Sequence, residues 1–171
     1  TNVFGWQELT NLVIPVMRRQ GYGRIIQNSS VLGFVALPFR GAYNASKYAI
    51  EGLSDTLRLE LQGSNIHVSL IEPGPIASQF RTNAVKALSK YIDIANSFHR
   101  ETYQGVLNRL NKPGPAVPFT LPPEAVLERV IHALEASKPH ARYYVTFPTH
   151  LFGILKRILS TRALDVLLAK S

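Results

Sequence analysis

Apolar residues at Phe4, Leu9, Leu12, Val13, Val16 and Met17 recur at helical spacing, with polar Gln7, Glu8, Asn11 and Arg18 between them, and predict a helix over residues 3–20. Pro15 is expected to kink it, and Gly21-Tyr22-Gly23 to end it, glycine supplying a left-handed cap. The apolar run over 24–28 is too short for a helix and reads as a strand leading into Ser29-Ser30. An apolar loop around Pro38 follows, over 34–40. A second helix is expected over about 42–62, with Ala45, Ala49, Ile50, Leu53, Leu57 and Leu61 inward and Glu51, Asp55, Arg58 and Glu60 on a solvated face. Ile66, Val68, Leu70 and Ile71 mark a buried strand over 66–71. Strand, helix and strand joined by a long crossover argue for parallel pairing, hence an α/β fold.

Beyond residue 71 the pattern loosens. Glu72-Pro73-Gly74-Pro75-Ile76-Ala77-Ser78 reads as a rigid turn with exposed backbone groups. Residues 79–121 show no strand pattern, only weak helices over 85–98 and 102–110 and a proline-rich loop over 111–118. A long segment of this kind after a strand is commonly a lid or binding loop. Its Phe80, Tyr91, Phe98, Tyr103 and Phe119 fit a bulky apolar substrate and the segment's own packing equally well. Thr120-Leu-Pro-Pro-Glu124 starts a helix that runs to about residue 137, with Val126, Val130, Ile131 and Leu134 inward. Residues 143–146 read as the last strand. The segment 147–171 is apolar and basic by turns and has two readings, an interfacial membrane helix or a helix packed over a pocket or a subunit partner.

Composition narrows the function classes. A chain of 171 residues can hold one domain with a real core. The net charge of +8 would suggest nucleic acid, but the basic residues are dispersed and no stacking-aromatic motif accompanies them, so no nucleic-acid partner is expected. There is no cysteine, and no His-x-x-x-His or carboxylate cluster, so no metal is expected. No apolar run approaches the roughly 18 residues of a spanning helix, and a cytoplasmic location is the default.

The candidate chemistry lies between Ser29 and Lys47. Tyr43 and Lys47 are four residues apart at the start of the second helix, so both side chains share one face. A lysine ammonium near a phenol favours the phenolate and lowers its pKa, which makes tyrosine a proton donor and acceptor near neutral pH. Ser30, at the end of the first strand, could hold a carbonyl oxygen during that exchange. A Tyr-x-x-x-Lys pair alone arises readily by chance among seven tyrosines, and an ordinary half-buried tyrosine beside a surface lysine is the plain alternative. His99 and His132 read as surface or structural residues.

The surroundings change that weighing. Gly23-Arg-Ile-Ile-Gln-Asn-Ser-Ser-Val-Leu-Gly33, then Tyr43-Asn-Ala-Ser-Lys47, then Pro73-Gly74 after the next strand form an ordered set that resembles the short-chain dehydrogenase/reductase family. In that family a serine precedes the catalytic tyrosine by thirteen positions, as Ser30 precedes Tyr43, and an Asn-x-x-Gly stretch lies 28 residues before the serine, as Asn2-Val3-Phe4-Gly5 does here. The resemblance implies a Rossmann-type doubly wound parallel sheet, present as its C-terminal portion, with the N-terminal glycine-rich cofactor turn absent. It implies one dinucleotide-binding domain over 1–171, with 77–121 as a substrate lid. It implies an NAD(P)-dependent oxidoreductase that moves hydride between a nicotinamide cofactor, NAD or NADP, and a small-molecule carbonyl/alcohol substrate, bulky or apolar. Tyr43 would exchange the proton, Ser30 would hold the oxygen, and Lys47 would tune Tyr43 and bond the nicotinamide ribose. Asn2 would anchor a water beside Lys47. Pro73, Gly74, Ile76 and Ser78 would face the cofactor, Ser78 standing where threonine is usual. A homo-oligomer is implied as well. The alternative is a non-catalytic or truncated binding protein of the same fold, with possible peripheral membrane contact through its C-terminal helix.

Overall fold

The computed structural model describes residues 2–114 and 117–169. They fall into two units, one formed by the chain through Gly74 together with the chain from Glu124, the other by Pro75–Pro123.

The first unit is built on a three-stranded parallel sheet in the order β1-β2-β3, with β1 Gly23–Asn28, β2 Ile66–Glu72 and β3 Arg142–Tyr144. Gly23 pairs with Ile66 and runs in register to Asn28 opposite Ile71, and Leu70 to Glu72 pair with Arg142 to Tyr144. β2 is the central strand and is buried at every position but His67, as a parallel strand covered on both faces must be. α1 (Phe4–Gln20) precedes β1, and α2 (Gly41–Glu60) is the crossover between β1 and β2. α1 runs through Pro15 without interruption and ends where Gly21 takes φ 81°, a left-handed turn that a side chain disfavours. Ile25, Leu57, Leu61, Ile66 and Val68 form one core cluster, with Ile14 and Met17 of α1 packed against it.

α2 departs from expectation in what it buries. Ile50, Leu57 and Leu61 face inward, but Leu53 is 38% exposed and Ala45 is exposed too. Asn44, Lys47, Glu51 and Ser54 are buried instead. Glu51, expected on the solvated face, is only 7% exposed. The cause is a buried ionic partner from β3, described below.

Three further helices belong to this unit. α5 (Glu124–Glu135) starts after Pro122-Pro123 and buries Ala133, while Ile131 and Leu134, expected inward, are exposed. The expected C-terminal helix is two, α6 (Phe147–Ile158) and α7 (Thr161–Leu168), because Ser160 starts a new helix by accepting a hydrogen bond from Ala163 N at 3.3 Å. Leu164 and Leu168 of α7 pack with Leu32 and Val35 in a second core cluster. The strand expected over 143–146 is β3 at 142–144, and Lys170 and Ser171 lie outside the described residues.

The second unit contains α3 (Phe80–Tyr91) and α4 (Arg100–Asn111), both earlier in the chain than the pattern predicted or longer, and neither buries a residue. An isolated bridge between Ile76 and Leu121 ties its two ends together.

Candidate functional site

β1 delivers Ser29 and Ser30 at its C-terminal end. Ser29 N donates to Ile71 O at 2.8 Å, and Val31 N donates to Pro73 O at 2.9 Å, so the ends of β1 and β2 are stitched together past the last ladder pair. Ser30 is extended and caps a short 3-10 turn, Val31–Gly33, its Oγ accepting from Leu32 N at 3.1 Å. That bond fixes the rotamer of a hydroxyl that is 8% exposed.

Tyr43 and Lys47 enter from the first turns of α2. Asn44 Nδ2 donates to Leu37 O at 3.0 Å and secures the preceding loop against the helix start. The Tyr43 ring packs against the cluster of Leu32, Val35, Leu164 and Leu168, and its hydroxyl is hydrogen-bonded to Ser30. Lys47 is buried, and its Nζ donates to Asn28 O at 2.8 Å. The ammonium lies 5.6 Å from the centroid of the Tyr43 ring and 5.3 Å from that of Trp6, within cation–π range of both.

The electrostatics differ from expectation at Tyr43. Burial pushes its phenol above the ordinary value, and the Ser30 hydrogen bond and the Arg40 charge pull the other way without reversing it. The Lys47 ammonium is directed to a backbone carbonyl and lies over ring faces. Burial lowers the pKa of Lys47 itself, and Glu51, one turn on, opposes that.

Ser30, Tyr43 and Lys47 are thus brought together, and Asn2 is not joined to them. Asn2 is exposed ahead of α1, and Trp6 from the first turn of α1 is the residue that reaches Lys47. Pro73 belongs to the group through its carbonyl. Gly74 is confined: a Cβ there would lie 2.1 Å from Thr146 Oγ1 and 2.8 Å from Thr149 Oγ1, both threonines fully buried. Close packing alone therefore demands glycine at this position. Ile76 and Ser78 lie in the second unit, Ile76 bridged to Leu121 and Ser78 Oγ accepting from Phe80 N at 3.3 Å. Among the described residues no group of His, Asp and Glu is arranged to hold a metal.

Sequence reasoning missed the buried carboxyls Glu51 and Glu72 and their half-buried partner Arg142. One signal was available: Asn44, Lys47, Glu51 and Ser54 stand at alternating three- and four-residue spacings and make a polar stripe on one helical face. Chemically, a tyrosine hydroxyl bonded to a fixed serine hydroxyl, with a buried ammonium nearby, can exchange a proton with a carbonyl or alcohol oxygen.

Comparisons with known proteins agree with this geometry. The sequence model of the short chain dehydrogenase family matches residues 1–89, just over half of the chain. The oxidoreductase YbbO of Escherichia coli strain K12, itself uncharacterized, is 44% identical over 167 residues, covering 98% of this chain and 56% of YbbO. Human 17-beta-hydroxysteroid dehydrogenase type 1 is 35% identical over 147 residues, covering 85% of this chain and 44% of the human enzyme. The crystal structure of a short chain dehydrogenase from Burkholderia cenocepacia in complex with NADP superposes with a TM-score of 0.68 at 21% identity, covering 98% of this chain and 57% of that one. The fold is therefore of the Rossmann type, and the chain spans about half the length of the relatives it matches.

Proposed function

The chain belongs to the short chain dehydrogenase family, and from that premise we propose that it carries the proton-transfer site of an NAD(P)-dependent oxidoreductase acting on a carbonyl/alcohol pair. The observation that carries this reading is the Tyr43–Ser30 hydrogen bond with the buried Lys47 ammonium beside the tyrosine ring. In the reducing direction Tyr43 gives its hydroxyl proton to the carbonyl oxygen, and Ser30 Oγ, held by Leu32 N, donates a hydrogen bond to the same oxygen. In the oxidising direction Tyr43 takes the proton from the alcohol. Burial keeps Tyr43 protonated at neutral pH, so in this arrangement it is ready to act as the acid.

A nicotinamide dinucleotide, NAD or NADP, supplies the hydride when bound. The donor set fits it. An ammonium has three N–H donors, and Asn28 O takes one of those on Lys47, leaving the others for the ribose hydroxyls. Tyr43, Pro73, Gly74, Ile76 and Ser78 complete the set that this reading assigns to the cofactor, and Asn2 remains its candidate water anchor.

The substrate class in this reading is bulky and apolar. The human relative is by name a hydroxysteroid dehydrogenase, and a bovine relative 39% identical over 89 residues is retinol dehydrogenase 8. Residues 77–121, within the second unit, expose Phe80, Tyr91, Phe98 and Phe119 and are the segment we assign as substrate lid. The apolar residues that α1 exposes, Phe4, Leu9, Leu12 and Val16, support a homo-oligomer. A second reading, peripheral membrane contact, draws on α6, where exposed Leu151, Ile154 and Ile158 lie on one stripe near Lys156 and Arg157; among the described residues no helix is long and apolar enough to cross a membrane.

The test is oxidation of reduced nicotinamide by the full-length protein, followed by absorbance against aldehydes, ketones, steroids and retinoids with NADH and NADPH. Turnover that disappears in Tyr43→Phe while cofactor binding persists is the expected result. Turnover of Tyr43→Phe within about tenfold of the wild type overturns the assignment.

A further inference from the structure

One turn beyond Lys47 lies an ionic cluster, with two buried carboxyls, that the proton chemistry above does not use. Arg142, the first residue of β3, sends Nη1 to Glu51 Oε2 of α2 and, at 2.5 Å, to Glu72 Oε1 at the end of β2; its Nη2 reaches Asp55 Oδ2 of α2 at 2.6 Å. Glu72 is wholly buried, and Glu51 nearly so. Glu51 Oε1 and Glu72 Oε2 meet no N–H or O–H donor among the described residues. The two carboxyls share one guanidinium nitrogen, Arg142 Nη1, which sets them side by side.

The cluster adjoins the candidate site at three points. Glu51 is one turn beyond Lys47 on the same face of α2 and acts on its charge. Gly33, the end of the turn that Ser30 caps, lies against the same side chain: a Cβ there would be 2.8 Å from Glu51 Oε1. Glu72 is the residue immediately before Pro73-Gly74. A single guanidinium therefore binds the helix that bears Tyr43 and Lys47, the strand end that leads into the turn, and β3.

We propose that Arg142 is a positioning residue for this site, locking α2 to the C-terminal end of β2 through Glu51 and Glu72 so that Tyr43 and Lys47 stay in line with Ser30. The proposal rests on the oxidoreductase reading for its effect on turnover, and on geometry alone for its effect on α2. The planar fork of arginine suits the task, since it reaches carboxylates on two elements at fixed angles.

The lock depends on charge. The groups facing Glu72 are Arg142 and Tyr144 of β3 and Glu51 of α2, with Asp55 and Lys47 on the same helix and Arg157 of α6 facing Tyr144. Asp55 is also paired with Arg58. Burial and the neighbouring Glu51 push the Glu72 carboxyl up to about 8. With Glu72 protonated, the carboxylates of Glu51 and Asp55 share the guanidinium. Loss of that proton sets three carboxylates around one guanidinium, their repulsion opposes the packing of Glu51 beside Glu72, and α2 loosens.

The experiment compares wild type, Arg142→Met, Arg142→Lys and Glu72→Gln in the full-length protein, with Tyr43→Phe as a separate control for the chemistry. Amide hydrogen exchange over residues 41–60 is read at pH 7 and pH 9 beside kcat and KM. The expected result for Arg142→Met is faster exchange in α2 and a kcat lower by roughly tenfold to a hundredfold with KM changed far less, partly restored in Arg142→Lys. Wild-type exchange in α2 should accelerate above pH 8 by more than the ordinary base catalysis that residues 66–72 show, and that excess acceleration should vanish in Glu72→Gln. Unchanged exchange and a kcat within about twofold in Arg142→Met would overturn the proposal. If wild type turns over nothing, the function reading fails, and the exchange data still decide the lock. If Arg142→Met does not fold, Glu72→Gln decides: the same alkaline acceleration as in wild type overturns it.

Discussion

The two units of this chain are held together by opposite means. In the first, side chains distant in sequence meet in buried, mutually dependent contacts: Glu51 with Arg142, Lys47 with the Asn28 carbonyl, Gly74 with Thr146 and Thr149. In the second, no residue of α3 or α4 is buried, and one side chain makes several of the links between them. Arg81 of α3 donates to the carbonyls of Leu110, Lys112 and Gly114, with Nη2 to Leu110 at 2.6 Å and Nη1 to Gly114 at 2.6 Å. Those are carbonyls at and beyond the end of α4 with no helical partner of their own. A buried network gives a site that keeps its geometry. A segment of exposed helices with no buried residue opens at little cost, as elements that admit ligands generally do.

The largest expected effect comes from filling the tightest point of the first unit. Gly74→Ala would place a methyl where Thr146 Oγ1 and Thr149 Oγ1 already stand. Both threonines are fully buried and cannot swing away. Overpacking of this kind costs about 1–3 kcal/mol and at times more, and the expected outcome is a clearly lowered denaturant midpoint of the full-length protein. A midpoint unchanged from wild type would show that the turn is free to shift and that the first unit is less rigid than its contacts imply.

Arg81→Met comes next. Hydrogen bonds from a charged donor contribute about 1.5–3 kcal/mol in favourable settings, but these are partly exposed and share one side chain, so a total near 2 kcal/mol is expected. The loss should be local. Amide exchange over 100–114 should accelerate while residues 66–72 keep their protection. Equal acceleration in β2 would mean that the two units unfold together.

Much of the first unit could be read from the chain before any coordinates. β1, α2 and β2 declare themselves by period, and the spacing of Ser30, Tyr43 and Lys47 located the group that the structure assembles. What escaped was the polar face of α2. Glu51 was placed in solvent because a lone glutamate in an amphipathic helix normally belongs there; its partner Arg142 lies 91 residues on, and no local pattern announces such a pairing. The sign of the Tyr43 shift escaped for a related reason. The proximity of a lysine could be read, but burial and the direction of its ammonium could not. The second unit was blurred because exposed helices lack the apolar stripe on which periodicity depends, so α3 starts at Phe80 and not near residue 85.

A smaller effect separates the units by pH. The folded pKa of Glu72 is raised from 4.5 to about 8, so the folded state binds this proton more tightly than the unfolded chain. Its contribution to stability is fully present below pH 4.5 and is lost as pH rises to about 8. The denaturant midpoint of the first unit should fall across that window, and Glu72→Gln should flatten the fall. Exchange over 80–111 should keep its ordinary base-catalysed pH dependence. A midpoint that rises over the same window would mean that Glu72 is ionised in the fold and that Arg142 holds a full carboxylate pair.

The smallest effect has the opposite sign to the first. Gly105 lies inside α4 with nothing within 4 Å of a Cβ. Glycine in a helix interior is less favourable than alanine by about 0.8–1.0 kcal/mol, through the backbone freedom it must give up. Gly105→Ala should therefore slow amide exchange across 100–111, by roughly fourfold if the whole difference appears in local opening. One methyl group added to a glycine would then destabilise the first unit and stabilise the second. Slower exchange in α4 with no change in the global midpoint would place α4 at the low-stability end of the molecule, opening independently of the sheet. Faster exchange would reveal a neighbour against this face of α4 and would end the contrast between a packed unit and a loosely tied one.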